Sequence, residues 1–373
     1  MSDKETICTM ALARVKSLSL SNAQLLYRSM GTAEAVFEHK DHIRDCVPDA
    51  TDRLVAALKN TDEAVRRAEA EMEFVQRNNI RCLCMNDSEY PQRLKECGDA
   101  PLCLFYCGTA DLNAVRTISI VGTRRCTEYG KDLCRNFIAD LKRCQSDILV
   151  VSGLAYGVDI HAHRAAIENG MDTVGVLAHG LDMIYPSAHR QTAAQMVRQG
   201  GLLTEYMSST VPDKGNFVRR NRIVAGICDA TVVVESAAHG GGLITAELAE
   251  SYHRDVFAFP GRVYDEYSEG CNRLIKDNRA VLIQSAEDFV SAMRWDNPQS
   301  AKKEPRQQEL FIELTAEEQL IVDALRRVDD KPINQIVVES GIPYSRVSVL
   351  MFELEMKGVV IPIGGARYRL LRR

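Results

Sequence analysis

The sequence predicts an α/β fold with a Rossmann-like doubly wound parallel sheet, flanked by a small N-terminal helical domain and a C-terminal winged-helix-like domain. Three observations support this. Short β-branched runs alternate with amphipathic helical segments from about residue 115 to 288, residues 1–80 show helical spacing, and the last sixty residues read as helices followed by a hairpin. Continuously apolar strands are typical of parallel sheets that helices cover on both faces.

The N-terminal domain is predicted over 1–80. In "TDRLVAALKNTDEAVRRAEAEMEFVQRNNI" apolar residues recur at helical spacing with charges between them. The segment 81–114 changes to short apolar runs among Pro and Gly, which indicates strands or a connector. The central domain is predicted over 81–295, and its strands are "RTISIVG", "DILVVSG", "DTVGVLAHG", "ATVVVES", "DVFAFPG" and "AVLIQS".

The polar stretch "DNPQSAKKEPRQQEL" interrupts this periodicity and predicts an exposed linker over 296–312. Three helices and a short hairpin follow over 313–373, in the order of a winged helix. The segment "SRVSVLMFELEMKG", at the place of a recognition helix, has few basic residues and two glutamates. We therefore expect a protein-contact module or a weak accessory to DNA binding.

Composition excludes several classes of protein. The 373 residues are 46% hydrophobic and 26% charged, with a net charge of -5. No apolar run reaches the roughly 20 residues of a membrane span, and the start lacks the apolar core of a secretory signal, so we expect a cytoplasmic protein. The twelve cysteines are scattered without CxxC or zinc spacing, which predicts reduced thiols, no metal and no cofactor.

Three glycine-containing loops follow strands of the predicted sheet. They are "VGTRR" at 121–125, "VSGLAYG" at 151–157 and "ESAAHGGGLITAE" at 235–247. Ligands of open α/β sheets bind beyond the carboxyl ends of the strands, and the free N–H groups at helix starts attract anions. Three such loops at one edge predict a ligand that offers phosphate at several places.

The stretch "FVRRNRIVAG" at 217–226 places three arginines in four positions against an apolar run. A charge there is costly without a partner, and arginine suits phosphate in bidentate geometry. With Arg124 and Arg125 nearby, we favour a phosphate ligand. The alternative is that the arginines hold the loop by pairing with carboxylates of the same domain, namely Glu205, Asp229 or Glu235.

Motifs of common enzymes are missing. The sequence has neither GxxxxGK[ST] nor GxSxG, and the nearest approach to GxGxxG starts at Gly240 but ends in Thr245, late in the sheet. A P-loop ATPase, a dehydrogenase and a serine hydrolase are therefore disfavoured, and no catalytic residue is predicted. His161 and His163 are two apart, on different faces of a helix, and we expect a capping or solvent-facing pair.

From about Asp87 to Ile283 the chain resembles the bacterial DNA-processing proteins called DprA or Smf. The segments that carry the resemblance are "SIVGTRR", "VSGLAYGVDIHAHRAAI", "GLDMIYPSAHRQ", "LLTEY", "FVRRNRIVAGICDATVVVESAAHGGGLITAELA", "VFAFPG" and "GCNRLI". The resemblance implies binding of single-stranded DNA, a homodimer formed by the Rossmann-like domain, and help in loading RecA during natural transformation and recombination. It also implies an N-terminal domain like a SAM or helix-hairpin-helix domain.

The same resemblance implies the site. Arg124 matches an arginine of the family's glycine-serine-arginine motif, Ser152 and Gly153 match its phosphate loop, and 219–222 match its RNR block. The predicted DNA-binding residues are Arg124, Arg125, Ser152, Gly153, Arg190, Lys214, Arg219, Arg220, Asn221, Arg222, Gly240, Gly241, Gly242 and Thr245. One of the aromatic residues Tyr156, Tyr185 and Phe217 is expected to stack on a base.

Two departures and one competing function accompany this prediction. His239 and Gly241 replace family serines, so backbone N–H groups would substitute for hydroxyls; Ser187 and His189 replace a lysine and an asparagine, and Arg190 would supply the charge. The competing function is enzymatic, because "GGGLITAELAE" also resembles lysine-decarboxylase-like nucleoside monophosphate phosphoribohydrolases. The residues for that role would be Thr245, Glu247 and Arg222.

Overall fold

A computed structural model describes residues 2–295, 314–326, 331–363 and 367–371. The chain divides into two compact units, one ending at Asp296 and one beginning at Asn297. The predicted linker at 296–312 lies outside the described residues.

Short helices build the N-terminal segment. They are α1 (Asp3–Leu12), α2 (Leu20–Met30), α3 (Ala33–Glu38), α4 (Ile43–Cys46), α5 (Asp52–Lys59) and α6 (Asp62–Arg77), with a 3₁₀ turn at Lys40–His42. Side-chain oxygens of Ser2, Ser19, Thr32 and Thr51 accept backbone N–H groups in the first turns of α1, α2, α3 and α5. These caps satisfy donors that a helix start leaves free.

The N-terminal helices share their core with the sheet. Leu26 and Leu54 belong to the same buried cluster as Leu104 and Tyr106 of the sheet. The buried Glu5 carboxylate of α1 also accepts the backbone N–H of Ala33, at 2.8 Å, at the start of α3. Residues 2–295 therefore form one compact unit.

Nine strands form one sheet in this unit. They are β1 (Arg81–Cys84), β2 (Cys103–Gly108), β3 (Arg116–Val121), β4 (Ile148–Ser152), β5 (Thr173–Val176), β6 (Gly200–Thr204), β7 (Ala230–Val233), β8 (Asp255–Ala258) and β9 (Val281–Leu282). The order is β1-β2-β6-β5-β4-β3-β7-β8-β9. Seven neighbouring strands of the sheet run parallel, in the order β6-β5-β4-β3-β7-β8-β9. At the other end of the sheet, β2 pairs antiparallel with β6 and β1 pairs antiparallel with β2. The α/β prediction is confirmed, and the segment 81–114 supplies an antiparallel edge.

Helices cover both faces of the sheet. They are α7 (Gln92–Lys95), α8 (Glu128–Cys144), α9 (Val158–Glu168), α10 (Arg190–Arg198), α11 (Lys214–Gly226), α12 (Gly241–Ser251), α13 (Glu269–Lys276) and α14 (Ala286–Ala292), with a 3₁₀ turn at Ser187–His189. One buried cluster joins α8, α9 and α14 to the sheet through Phe137, Ala162 and Phe289. Another takes in Ile223 of α11 and Ala246 of α12.

The strand order creates a switch point. The chain adds β4, β5 and β6 on one side of β3 and then returns to place β7 on its other side. Connections leave the carboxyl ends of β3 and β7 in opposite directions, which opens a crevice there. Ligands of open α/β sheets bind at such a point.

The C-terminal unit contains α15 (Ala316–Arg326), β10 (Lys331–Pro332), α16 (Ile333–Ser340), α17 (Tyr344–Met356), β11 (Val360–Ile363) and β12 (Arg367–Leu370). Its strands pair antiparallel in the order β10-β12-β11. A separate core of Ile321, Leu325, Ile336, Leu350 and Leu354 holds the helices together. The winged-helix interpretation of 313–373 stays a prediction.

Within the described ranges, no helix combines the length and apolar character needed to cross a bilayer. The same residues contain no cluster of three or more His, Cys, Asp or Glu side chains suited to a metal ion.

Candidate nucleic-acid interface

A cavity of about 390 Å³ lies at the carboxyl ends of β3 and β7. All three loops that the sequence singled out contribute to it, together with one face of α11 and the loop after β8. Its lining includes Gly122, Thr123, Arg124, Arg125, Gly153, Ala155, Phe217, Arg220, Asn221, Ser236, His239, Gly240, Gly241, Gly242, Thr245, Glu266 and Tyr267.

The start of α12 forms one wall of the cavity. Gly240 is the N-cap, no side chain caps this helix end, and its first turn contains no acidic residue. The Thr245 hydroxyl donates to the Gly241 carbonyl at 3.1 Å, within the helix. Backbone N–H groups at an uncapped helix start attract anions, so this wall suits a phosphate.

Gly242 and Gly241 have different surroundings at this helix start. A Cβ on Gly242 would come within 3.0 Å of the Gly122 Cα, because α12 begins directly against the loop after β3. A Cβ on Gly241 would meet nothing within 4 Å. Gly242 is therefore required for packing, whereas Gly241 leaves space toward the cavity.

Arg124 and Arg125 are exposed beside the cavity. The Arg124 guanidinium carbon lies 5.1 Å from the centre of the Phe217 ring, and Phe217 lies 5.9 Å from Tyr185 between ring centres. Arg125 contacts Tyr267, and the hydrogen bond between them raises the pKa of Arg125. Arg124, Phe217 and Tyr185 thus form a row, of which Arg124 and Phe217 line the cavity.

Arg220 points inward and holds two loops. It is buried, and its Nη1 donates to the carbonyls of Gly153, at 2.6 Å, and Val176. The Asp159 carboxylate accepts the backbone N–H groups of Gly153 and Ala155 at 3.1 and 3.3 Å. Burial lowers the pKa of Arg220, and the charge of Asp159 opposes that change. Arg220 and Asp159 therefore fix the loop after β4 beneath the cavity.

Arg222 faces the opposite way. Its guanidinium pairs with Glu205, both side chains are mostly buried, and Arg222 does not line the cavity. Burial raises the pKa of Glu205, and the charge of Arg222 opposes this. At about 100° per residue, helical geometry turns Arg222 about 200° away from Arg220. For Arg222, therefore, the structure agrees with the alternative prediction, in which the arginine pairs with Glu205 of the same domain and not with a phosphate.

The other two candidate carboxylates bind elsewhere. Asp229 accepts from the Arg93 Nε at 2.6 Å. Glu235 accepts the backbone N–H of Thr127 at 2.9 Å and also its hydroxyl, which secures the start of α8 beside the cavity. Neither carboxylate pairs with an arginine of α11.

The remaining predicted residues are placed as follows. The buried Ser152 hydroxyl donates to the Ile120 carbonyl at 2.6 Å, which directs it away from the cavity. Tyr156 is half exposed and packs edge-on against His189, with 4.9 Å between ring centres. Three of the predicted cations are exposed but do not line the cavity: Arg190, Lys214 and Arg219. Arg190 is the first residue of α10, and Lys214 is the first residue of α11.

Sequence reasoning missed two contributors and misplaced one histidine. Asp159 and the Glu266–Tyr267 segment went unnoticed, although an aspartate at a helix start directly after a glycine loop is a signal for loop anchoring. The solvent-facing prediction for His163 was wrong: it is fully buried, and its Nδ1 is hydrogen-bonded to the Thr173 hydroxyl at 2.7 Å. Burial, with smaller effects from His189 and Arg220, lowers its pKa to about 3.

The residues of the competing enzymatic role are not gathered around one cavity. Thr245 lines the cavity. Glu247 is exposed, does not line it, and pairs with Arg279 at 3.5 Å. Arg222 lies on the opposite face of α11.

A comparison with protein families decides the relationship. Residues 81–294, more than half of the chain, match the model of the family described as DNA recombination-mediator protein A. The chain belongs to this family. Among curated relatives of similar length, the putative DNA processing protein DprA of Mycobacterium tuberculosis is 32% identical over 374 residues, which covers 97% of this chain and 93% of the relative.

Other relatives agree. The DNA processing protein DprA of Streptococcus pneumoniae is 39% identical over 205 residues, or 55% of this chain and 71% of the relative. The X-ray structure of DprA from that species has a TM-score of 0.67 and 30% identity, covering 78% of this chain and 98% of that one. A structure of DprA from Helicobacter pylori, described for its single-stranded DNA binding mode, has a TM-score of 0.52, 28% identity, and coverage of 58% and 96%.

Membership in this family confirms the resemblance drawn from the motifs. The function class is that of a DNA-processing recombination mediator, on the Rossmann-like fold shared with the S. pneumoniae structure.

Proposed function

We propose that the protein binds single-stranded DNA in the cavity at the carboxyl ends of β3 and β7. One observation carries this proposal: two exposed arginines, the uncapped start of α12 and the Phe217 ring converge on a single cavity. Guanidinium groups and helix N–H groups bind phosphate oxygens and do not discriminate between bases. The DNA backbone is therefore the ligand, and binding is independent of sequence.

Single strands are preferred over duplex for a geometric reason. Phe217 lies in the cavity lining and is only partly exposed, so a base must leave the stack to reach its ring. Bases of a single strand are free to do so, and stacking on an aromatic ring contributes about 1–3 kcal/mol per base. Arg124, which covers the same ring, is placed to bind the phosphate next to that base.

The wider role we propose is that of a non-enzymatic mediator. The protein would hold single strands and help to load RecA onto them, acting as a homodimer through its α/β unit. Similarity to the S. pneumoniae and M. tuberculosis DprA proteins supports this role. The edge strand β9, whose Val281 and Leu282 are about half exposed, supports a self-association surface on the α/β unit.

Fluorescence anisotropy of a labelled oligonucleotide tests the DNA-binding proposal. The variant Arg124→Ala/Arg125→Ala should weaken binding to single strands at least tenfold and lower the salt dependence, whose slope falls by about 0.7 for each phosphate that is no longer neutralised. Arg143→Ala is the matched control, because Arg143 is 77% exposed but lies in the last turn of α8, far along the helix from the cavity. Equal affinities of wild type and double variant would refute the proposal.

RecA loading is tested separately. RecA ATP hydrolysis on DNA that a single-strand-binding protein has already coated should begin sooner when wild-type protein is added, and not when the double variant is added. An unchanged lag with wild-type protein that binds DNA tightly would refute the mediator role alone.

A further inference from the structure

A band of cations lies outside the cavity, across the starts of three neighbouring helices. We define the basic band as Lys131 and Arg135 of α8, Arg164 of α9 and Arg190 of α10. All four occupy the first two or three turns of their helices, so they lie toward the same edge of the sheet as the cavity. Arg135, Arg164 and Arg190 are exposed, and Lys131 is partly exposed.

Contacts show that the band is continuous. Helices α8 and α9 pack against each other. His161 belongs to α9, and its pKa is lowered first by burial and then by the nearby charges of Lys131 and Arg135 on α8 and Arg164 on α9. The Arg164 Nε donates to the Thr192 hydroxyl of α10 at 3.4 Å, which brings the second turn of α9 next to the first turn of α10.

The band also reaches the cavity. Val158, the first residue of α9, donates its N–H to the Thr123 carbonyl at 3.1 Å. Gly157 before it lies directly against the backbone of Arg124, where an added Cβ would come within 2.7 Å of the Cα. At about 1.5 Å per residue, His161 lies about 6 Å and Arg164 about 10 Å along α9 from that contact.

The far side of the cavity has the opposite charge. The loop after β8, which contributes Glu266 and Tyr267 to the lining, exposes Asp265 and Glu266 together with one cation, Arg262, and the exposed Glu269 follows at the start of α13, so that carboxylates predominate here. Phosphates are repelled there and attracted toward α9 and α10. Two band residues do have carboxylate partners, since Lys131 pairs with Glu128 at 2.6 Å and Arg135 with Asp132 at 3.1 Å. Exposed pairs of this kind are weak enough to yield to a phosphate.

We infer that a bound single strand leaves the cavity over the basic band, so that the DNA site continues across α8, α9 and α10. This inference rests on the proposed DNA binding at the cavity. It adds three phosphate ligands, Lys131, Arg135 and Arg164, that are not among the DNA-binding residues predicted from the sequence. It also defines the path of the bound DNA from the cavity across the protein surface.

Two oligonucleotide lengths test the inference. Oligothymidylates of about 6 and about 20 nucleotides distinguish the cavity alone from the cavity with its exit path. Arg135→Ala/Arg164→Ala should bind the short strand like wild type and the long strand about tenfold more weakly, with a salt slope lower by about 1.4. The control Arg143→Ala is closely matched, since Arg143 is also exposed on α8 and also pairs with an aspartate three residues earlier.

The outcomes separate the two proposals. If Arg135→Ala/Arg164→Ala binds the long oligonucleotide with the affinity and salt slope of the wild type, the exit path is overturned. An equal loss of affinity for both lengths would overturn it as well. Failure of Arg124→Ala/Arg125→Ala to weaken the short strand would instead overturn the cavity site. A charge reversal, Arg164→Glu, should deepen the defect for the long strand and leave the short one unaffected.

Discussion

Two arginines of α11, Arg220 and Arg222, are two residues apart and both buried, yet they meet different partners. Arg220 borders the cavity, where the carbonyls of Gly153 and Val176 accept its hydrogen bonds and Asp159 lies nearby. Arg222 faces away from the cavity and forms an ion pair with Glu205. One basic motif therefore serves two purposes: Arg220 positions loops at the cavity, and Arg222 stabilises the fold through Glu205. This is possible because residues two apart on a helix point to nearly opposite sides.

The largest expected effect concerns Arg222. Arg222→Met should lower the free energy of unfolding by about 3–5 kcal/mol, because Glu205 is left buried without its partner. The chain's single tryptophan, Trp295, packs on Phe289 in the α/β unit, so its fluorescence in urea measures this change. Arg222→Met/Glu205→Leu should recover most of the stability. A decrease below about 1 kcal/mol in the single variant would remove the distinction between the two arginines.

A smaller effect concerns pH and His163, which both burial and Arg220 keep neutral. Its pKa is lowered from 6.5 to about 3 in the folded protein. The unfolded chain therefore binds a proton that the folded protein excludes between these values, so stability is complete above pH 6.5 and falls as the pH drops. The slope is about 1.4 kcal/mol per pH unit, which lowers stability by about 2 kcal/mol at pH 5.

Chemical unfolding at pH 7.5 and pH 5 measures that decrease. His163→Gln should flatten the pH dependence by the same amount, whereas His42→Gln, at an exposed histidine, should leave it unchanged. Identical profiles of wild type and His163→Gln would show that this histidine does not remain neutral as the pH falls.

The next prediction contrasts Arg220 with Arg124 in DNA binding. Arg220→Lys should weaken single-strand binding about tenfold without changing the salt slope, because Arg220 positions the loop at Gly153 and does not itself neutralise a phosphate. Arg124→Ala should lower both the affinity and the slope, the latter by about 0.7. A matching drop in slope for Arg220→Lys would make Arg220 a direct phosphate ligand.

The last prediction compares two glycines of one loop, and it includes the smallest expected effect, that of Gly241→Ala. Gly242→Ala should cost about 1–3 kcal/mol of stability, since its Cβ crowds the backbone of Gly122. Gly241→Ala should be neutral or stabilising by up to about 1 kcal/mol, because nothing lies within 4 Å and alanine loses less backbone entropy. Urea unfolding of the two variants compares them directly, and equal values would contradict the close approach at Gly242.

Most of the fold could be predicted from the sequence, because buried parallel strands and amphipathic helices leave clear periodic patterns. The meeting of the three glycine loops was also predictable, since parallel strands place their carboxyl ends at one edge. Side-chain direction was not. The pattern "RRNR" does not reveal which arginine faces the cavity until the helix phase is known, and Ser152 reads as a loop residue although its hydroxyl turns back to Ile120.

The core shared by the N-terminal helices and the sheet has a consequence for modularity. Leu26 and Leu54 pack in the same cluster as Leu104 and Tyr106 of β2, and the antiparallel pair of β1 and β2 forms one end of the sheet. Removal of residues 1–80 would expose an apolar face of these two strands, at the edge of the sheet where another strand can pair most easily. The first eighty residues thus protect the sheet edge against aggregation with other sheets. The N-terminal segment of a relative would replace them only if its apolar surface fitted the same two strands.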